Sequence, residues 1–125
     1  MWSHLYWYFN IRSDKSLSES LFSADIVAVL QKQKALKQTG PQSFVNKEDS
    51  SWMEISCVES KNGNYTRNDT DSTEKSNLIV VVASRRHNSA YDRYTDILIK
   101  VSNDLNWELI LEEYDHDNED IIINK

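Results

Sequence analysis

Asn77-Leu78-Ile79-Val80-Val81-Val82-Ala83-Ser84 is the most apolar run in the chain. β-branched side chains suit a pleated backbone. The run does not alternate apolar with polar, which predicts a central strand covered at least in part on both faces. Upstream of it, Trp52-Met53-Glu54-Ile55-Ser56-Cys57-Val58-Glu59 alternates as a half-buried strand should, with Met53, Ile55 and Cys57 inward. Between the two lies a long polar loop over 61–76 with a turn signal at Asn62-Gly63.

Downstream, Ser89 and Asp92 mark a helix start, and Tyr91, Tyr94, Leu98, Val101 and Leu105 recur at three- and four-residue spacing. Trp107-Glu108-Leu109-Ile110-Leu111 then reads as a strand, and Ile121-Ile122-Ile123 as a short terminal strand or a docking tail.

At the other end, Leu5-Tyr6-Trp7-Tyr8-Phe9-Asn10-Ile11-Arg12 is an aromatic-rich strand. Leu5, Trp7, Phe9 and Ile11 share its core face, and His4, Tyr6, Tyr8 and Asn10 share an amphipathic one. Ser16-Leu17-Ser18-Glu19 fits a capping box, in which a hydroxyl and a carboxylate satisfy the first backbone N–H groups. From there to about Leu36 an apolar stripe runs at helical spacing, with Lys32, Lys34 and Lys37 near its end to suit the helix dipole. Thr39-Gly40-Pro41 is expected to stop that helix, and 42–51 to be a polar connector with an apolar touch at Phe44-Val45.

The element order is therefore β-α-β-β-α-β. The fold class expected is α+β, in the ferredoxin-like arrangement: an antiparallel sheet with two helices on one face. Its first and third strands are central, and here these are the aromatic-rich and valine-rich ones. The other sheet face must be solvated, covered by the tail, or used for binding.

The 125 residues are expected to form one domain with a single core. The formal net charge is −6. It is uneven: residues 1–60 hold 6 basic against 7 acidic groups, and residues 61–125 hold 8 against 13. Such a domain repels nucleic-acid phosphates and anionic lipid headgroups and attracts a basic protein, so the expectation is no nucleic acid and no membrane. One cysteine, Cys57, excludes an internal disulfide and a cysteine-based zinc cage. With 2 glycines and 1 proline there is no Gly-rich phosphate loop. Met1-Trp2-Ser3-His4 lacks the basic region and cleavage site of a signal peptide, and no apolar run approaches bilayer length. A cytoplasmic chain is expected.

The distinctive charged segment is Glu112-Glu113-Tyr114-Asp115-His116-Asp117-Asn118-Glu119-Asp120, directly after the strand 107–111. Such a run is ordinarily solvated and self-repelling. Attached to a strand that holds it in place, it can also act as a decoy for a cationic cleft. In that reading Glu112, Glu113, Asp115, Asp117, Glu119 and Asp120 supply charge, with Trp107 and Tyr114 as anchors. Trp2, Tyr6, Tyr8 and Trp52 are further anchor candidates. Asp115, Asp117 and Glu119 resemble a calcium loop for one turn, but lack its glycine and bidentate glutamate. His4, His87 and His116 are not at metal-ligand spacing. Ser84-Arg85-Arg86-His87 before a helix start suits an anion only weakly without glycine. Cys57 on an inward strand face reads as packing, so no catalytic residue, metal or cofactor is expected.

Tyr6-Trp7-Tyr8-Phe9-Asn10-Ile11-Arg12-Ser13-Asp14, and Gln38-Thr39-Gly40-Pro41-Gln42-Ser43-Phe44 followed by Trp52, resemble the small acidic immunity proteins of bacterial contact-dependent inhibition and related polymorphic toxin systems. The resemblance implies a cytoplasmic, non-enzymatic protein, a monomer in a one-to-one complex with one cognate toxin domain. That toxin is often a basic nuclease, and its active site is blocked. Two other readings start from the same residues. One is a ferredoxin-like ligand-binding domain or enzyme using Tyr6, Tyr8, Asn10 and Arg12. The other is a homo-oligomeric structural protein pairing through an edge strand such as 107–111.

Overall fold

The computed structural model describes residues 6–14, 16–47, 52–60, 74–85, 90–112 and 121–124. Nine strands and two helices follow in the order β1 (Tyr6–Arg12), β2 (Leu21–Phe22), α1 (Ser23–Gln31), β3 (Leu36–Gly40), β4 (Ser43–Asn46), β5 (Met53–Val58), β6 (Lys75–Ser76), β7 (Leu78–Ser84), α2 (Ala90–Leu105), β8 (Glu108–Leu111) and β9 (Ile121–Asn124) among the described residues. The fold is α+β. Seven strands form one sheet in the order β3-β4-β5-β7-β1-β8-β9, with each neighbouring pair antiparallel, and β2 pairs with β6 in a small second sheet.

The valine-rich and aromatic-rich strands are central, as their composition predicts. β7 lies against β1 from Tyr6↔Ser84 to Arg12↔Leu78, and against β5 from Met53↔Ala83 to Val58↔Leu78. The two-residue period of a strand then sorts side chains between faces. Phe9, Ile11, Ile79, Val81, Ala83, Met53, Ile55, Cys57, Leu109 and Leu111 share one buried cluster with Ile26 and Leu30 of α1 and Tyr94, Leu98 and Val101 of α2. Both helices therefore close one face. On β7 the alternate residues Leu78 and Val80 belong to a second cluster with Val58, against which Leu17 packs. β7 is covered on one side throughout and on the other at Leu78 and Val80, in keeping with a run expected to be covered at least in part on both faces.

The first helix differs from expectation. It spans Ser23–Gln31 and begins after Phe22, which makes no side-chain cap bond. The residues read as its capping box form a loop instead. Asp14 accepts bonds from the Ser18 backbone N–H, at 3.0 Å, and from the Ser18 hydroxyl, and the Ser13 hydroxyl oxygen accepts from the Glu19 N–H at 3.1 Å. Short polar side chains that bond nearby backbone groups compete with helix formation. Leu17 sits at φ 55°, the left-handed region, and so reaches the second face.

The helix ends at Gln31 with Lys32 as its cap, and Lys34 and Lys37 fall beyond it. Leu36 is buried in a strand paired with β4 (Leu36↔Asn46). Gly40-Pro41, expected to stop a helix, turns the β3–β4 hairpin. Phe44 of the expected connector is a core residue of β4.

β8 is not an edge. Ile121–Asn124 pairs along it (Leu111↔Ile121, Ile110↔Ile122), so pairing of copies through 107–111 is excluded by β9 on one side and β1 on the other.

Candidate functional site on the second face of the sheet

The face away from the helices is built in rows by the strand register. Tyr6 lies opposite Ser84, whose N–H donates to the Trp52 carbonyl at 2.7 Å. Glu54, Val82 and Tyr8 form the next row, which Glu112 extends: its N–H donates to the Tyr8 carbonyl at 2.8 Å. Ser43, Ser56, Val80, Asn10, Ile110 and Ile122 form the third. Leu78, Arg12 and Glu108 form the fourth.

Two polar contacts fix this face. The Asn10 side-chain amide donates to the Glu112 carboxylate. Arg12 Nε donates to Glu108 Oε2 at 2.8 Å, with the two side chains only 12% and 11% exposed. Asn10 and Arg12 are thus engaged by carboxylates of the chain itself, so they hold β8 beside β1.

The other end of the face is aromatic. The Tyr6 ring meets Trp52 edge to face at 6.0 Å and Tyr8 at 6.4 Å. Trp52 is 41% exposed, and both tyrosines are half-buried. Its backbone is anchored: the Tyr94 hydroxyl donates to the Trp52 and Ser84 carbonyls at 3.2 Å each. Around the sheet end, Trp7 packs on Tyr91 and Tyr94, and Arg85 lies over the Trp7 ring at 5.2 Å. Ring faces and carboxylates both attract cations. Tyr6, Tyr8 and Trp52, with Glu112 beside Tyr8 and Glu54 beyond Val82 in the same row, make a surface suited to lysine or arginine side chains.

Of the sequence-based anchors, Trp107 is corrected. It is 4% exposed and part of the core cluster, its N–H donating to the Ser102 carbonyl at 3.0 Å as the chain turns out of α2 through Asn106. Its parity with Leu109 and Leu111, both inward, carried that signal. Glu112 is described, half-buried and held as above. Glu113, Tyr114, Asp115, Asp117, Glu119 and Asp120 lie outside the described residues, as do Trp2, His4, Asn62-Gly63, Arg86, His87 and His116. The placing of Tyr6 and Tyr8 on the second face was legible from alternation. The approach of Trp52 to them was not, because it depends on β5 lying two strands from β1.

Cys57 is buried, and burial pushes its thiol up to about 12, so little of it is ionised near neutrality. Gln42, also buried, donates to the Cys57 carbonyl at 2.8 Å, and the hydroxyls of Ser23 and Ser76 meet at 2.6 Å. These buried polar groups join the β3–β4 turn to β5 and the small sheet to α1.

No helix among the described residues is long and apolar enough to cross a membrane. No family model matches the chain, and neither does any curated protein or solved structure.

Proposed function

We propose that this protein is a non-enzymatic, cytoplasmic immunity protein that binds a cognate bacterial toxin domain, a basic nuclease, and occludes its active site. The observation that carries the reading is the placement of Glu112. It is the first carboxylate of the acidic run, and it is bonded to β1 through Tyr8 and Asn10 on the same face as Tyr6 and Tyr8. The run therefore starts from a fixed point beside aromatic side chains suited to anchoring a partner. The net charge of −6 supports a cationic partner and steers its approach.

We read the inner strands β5-β7-β1-β8 as a ferredoxin-like core, with β3–β4 and β9 added at its two edges. The support is their order: second, third, first and fourth of the strands expected from sequence, all antiparallel.

Co-purification with the tagged protein as bait identifies the toxin. A stoichiometric basic toxin fragment is the expected result, and recovery of no partner, or of a small molecule only, would overturn the reading. With that fragment in hand, lysine at positions Glu112, Glu113, Asp115, Asp117, Glu119 and Asp120 is expected to slow association most and to flatten its salt dependence. Unchanged association would remove the electrostatic mechanism while leaving the inhibitor in place.

A further inference from the structure

The charge of this chain is segregated more sharply than its total suggests. Residues 26–47 hold four lysines, Lys32, Lys34, Lys37 and Lys47, and no acidic group, whereas the rest of the chain holds 10 basic groups against 20 acidic ones. Glu48 and Asp49, next in sequence, lie outside the described residues, and counted with them the stretch still holds 4 basic against 2 acidic groups.

The fold gathers these lysines at one edge of the sheet. Lys32 caps α1 at its C-terminal end, where the helix dipole favours a cation. The Leu36 N–H donates to the Gln33 carbonyl at 3.1 Å, and that turn sets Lys34 and Ala35 between helix and strand. β3 then pairs with β4 through Lys37↔Val45, and the Lys47 N–H donates to the Ala35 carbonyl at 2.9 Å. Leu36 and Phe44 belong to the helix-side core, so by the two-residue period Ala35, Lys37, Val45 and Lys47 share the opposite face. Lys37 and Lys47 are diagonal neighbours there, roughly 7–8 Å apart. All four lysines are exposed, and among the described residues none of them is ion-paired to a carboxylate. The first carboxylate along the Lys37 row, Glu54 opposite Val45, stands two strands away, at about 10 Å. One charge on an edge strand is enough to discourage an added strand, and Lys37 supplies it. Lys32, Lys34 and Lys47 lie off that strand and need another account.

We propose that this lysine edge docks a short acidic segment of another protein, its carboxylates on Lys34, Lys37 and Lys47 and its backbone over the small, exposed side chain of Ala35. This surface is separate from the Tyr6–Trp52 end of the sheet face, and its use does not depend on the toxin reading. Range decides the occupant. Seven strands about 4.8 Å apart set the far edge of the sheet roughly 29 Å away. The Debye length at physiological salt is about 8 Å, so the local field at this edge is positive despite the net charge. A segment a few residues long meets only the lysines. A nucleic-acid strand or a bilayer extends past them to the acidic remainder of the chain and is repelled. A second copy bringing its acidic part here would leave its own lysine edge open and add copies without closing.

The test uses the whole isotope-labelled protein, with amide shifts followed by NMR. The probes are a short peptide alternating glutamate and serine, the same peptide with glutamine for glutamate, a short oligothymidylate and phosphatidylserine vesicles. The glutamate peptide is expected to shift the amides of Ala35, Lys37, Val45 and Lys47, and the glutamine peptide to shift none. Lys37→Ser with Lys47→Ser is expected to weaken the glutamate peptide about fivefold. Lys75→Ser with Lys100→Ser removes the same charge from exposed positions elsewhere and is expected to leave its binding unchanged. Unmoved β3–β4 amides, equal binding of the glutamine peptide, or equal weakening by the two double variants would overturn the proposal. Tighter binding of the oligothymidylate or the vesicles at these amides would assign the edge to phosphate and also overturn it. So would a mass that rises with concentration while the same amides shift without any probe, which would assign it to a second copy.

Discussion

β1 presents the two faces of this sheet side by side. Phe9 and Ile11 are fully buried against the helices, while Tyr6, Tyr8, Asn10 and Arg12, one residue out of phase, face the other way. The helix-covered face is held by apolar packing, which is strong and not directional. The second face is held by particular pairs, Asn10 with Glu112, Arg12 with Glu108 and Tyr6 with Trp52. Hydrophobic burial alone forbids a slip of one residue, which would move every side chain to the opposite face, but tolerates a slip of two. A guanidinium facing one carboxylate across a strand pair tolerates neither, because either slip separates the pair. On this comparison one face supplies stability, and the other supplies register and a surface for a partner.

The sharpest way to break the comparison is to truncate neighbouring residues of one strand. Phe9→Ala removes a fully buried ring and is expected to cost about 3–5 kcal/mol of unfolding free energy. Tyr8→Ala removes a half-buried ring from the other face and is expected to cost about 1 kcal/mol. Denaturant midpoints, with unchanged slopes, are the measurement. Equal losses would mean that the second face is as tightly packed as the first, and that Tyr8 is a core residue rather than a contact.

Arg12 and Glu108 sharpen it further. The pair is nearly buried, so Arg12→Ala strips a charge-assisted hydrogen bond from a carboxylate with little access to water, at an expected cost of about 2 kcal/mol. Removing both side chains should cost less than the two single changes added together, since the second loss leaves no stranded charge. A cost below about 0.5 kcal/mol would place the pair with ordinary surface ion pairs. It would then have no claim to fixing β8 beside β1.

The same contrast explains what could be read in advance. Period-2 alternation predicted β1 and β5 and three- and four-residue spacing predicted α2, because each of these patterns depends on one dominant covered face, while the unbroken run predicted β7 because both of its faces are at least partly covered. The stretch 16–36 carries a helical stripe too, but Leu17 serves the second face through a left-handed backbone, and Leu36 serves a strand. An apolar residue fits either role, and a Gly-Pro pair ends a helix or turns a hairpin with the same chemistry. The acidic run was legible as composition, and Glu112 is its one described member of a known setting. Trp52 joined Tyr6 only through the non-local order of the sheet, which no local pattern records.

The smallest effect concerns the loop that brings Leu17 onto the second face. The Asp14 carboxyl is held below the ordinary aspartate value of 3.8, first by the hydrogen bond from the Ser18 hydroxyl and then by that from the Ser18 N–H. A group whose value is lowered on folding stabilises the fold above its unfolded pKa, and that contribution is lost as pH falls through the lowered folded value. The loop should therefore loosen below pH 3.8 and be unaffected near neutrality. Ser18→Ala removes the largest cause and leaves the backbone bond. The Asp14 titration, followed by carboxyl NMR, is expected to move back toward 3.8, with global stability at neutral pH barely changed. An unmoved titration would show that the backbone N–H alone holds Asp14. A large loss of stability would show instead that this loop, through Leu17 on Val58, Leu78 and Val80, closes the second face as firmly as the helices close the first.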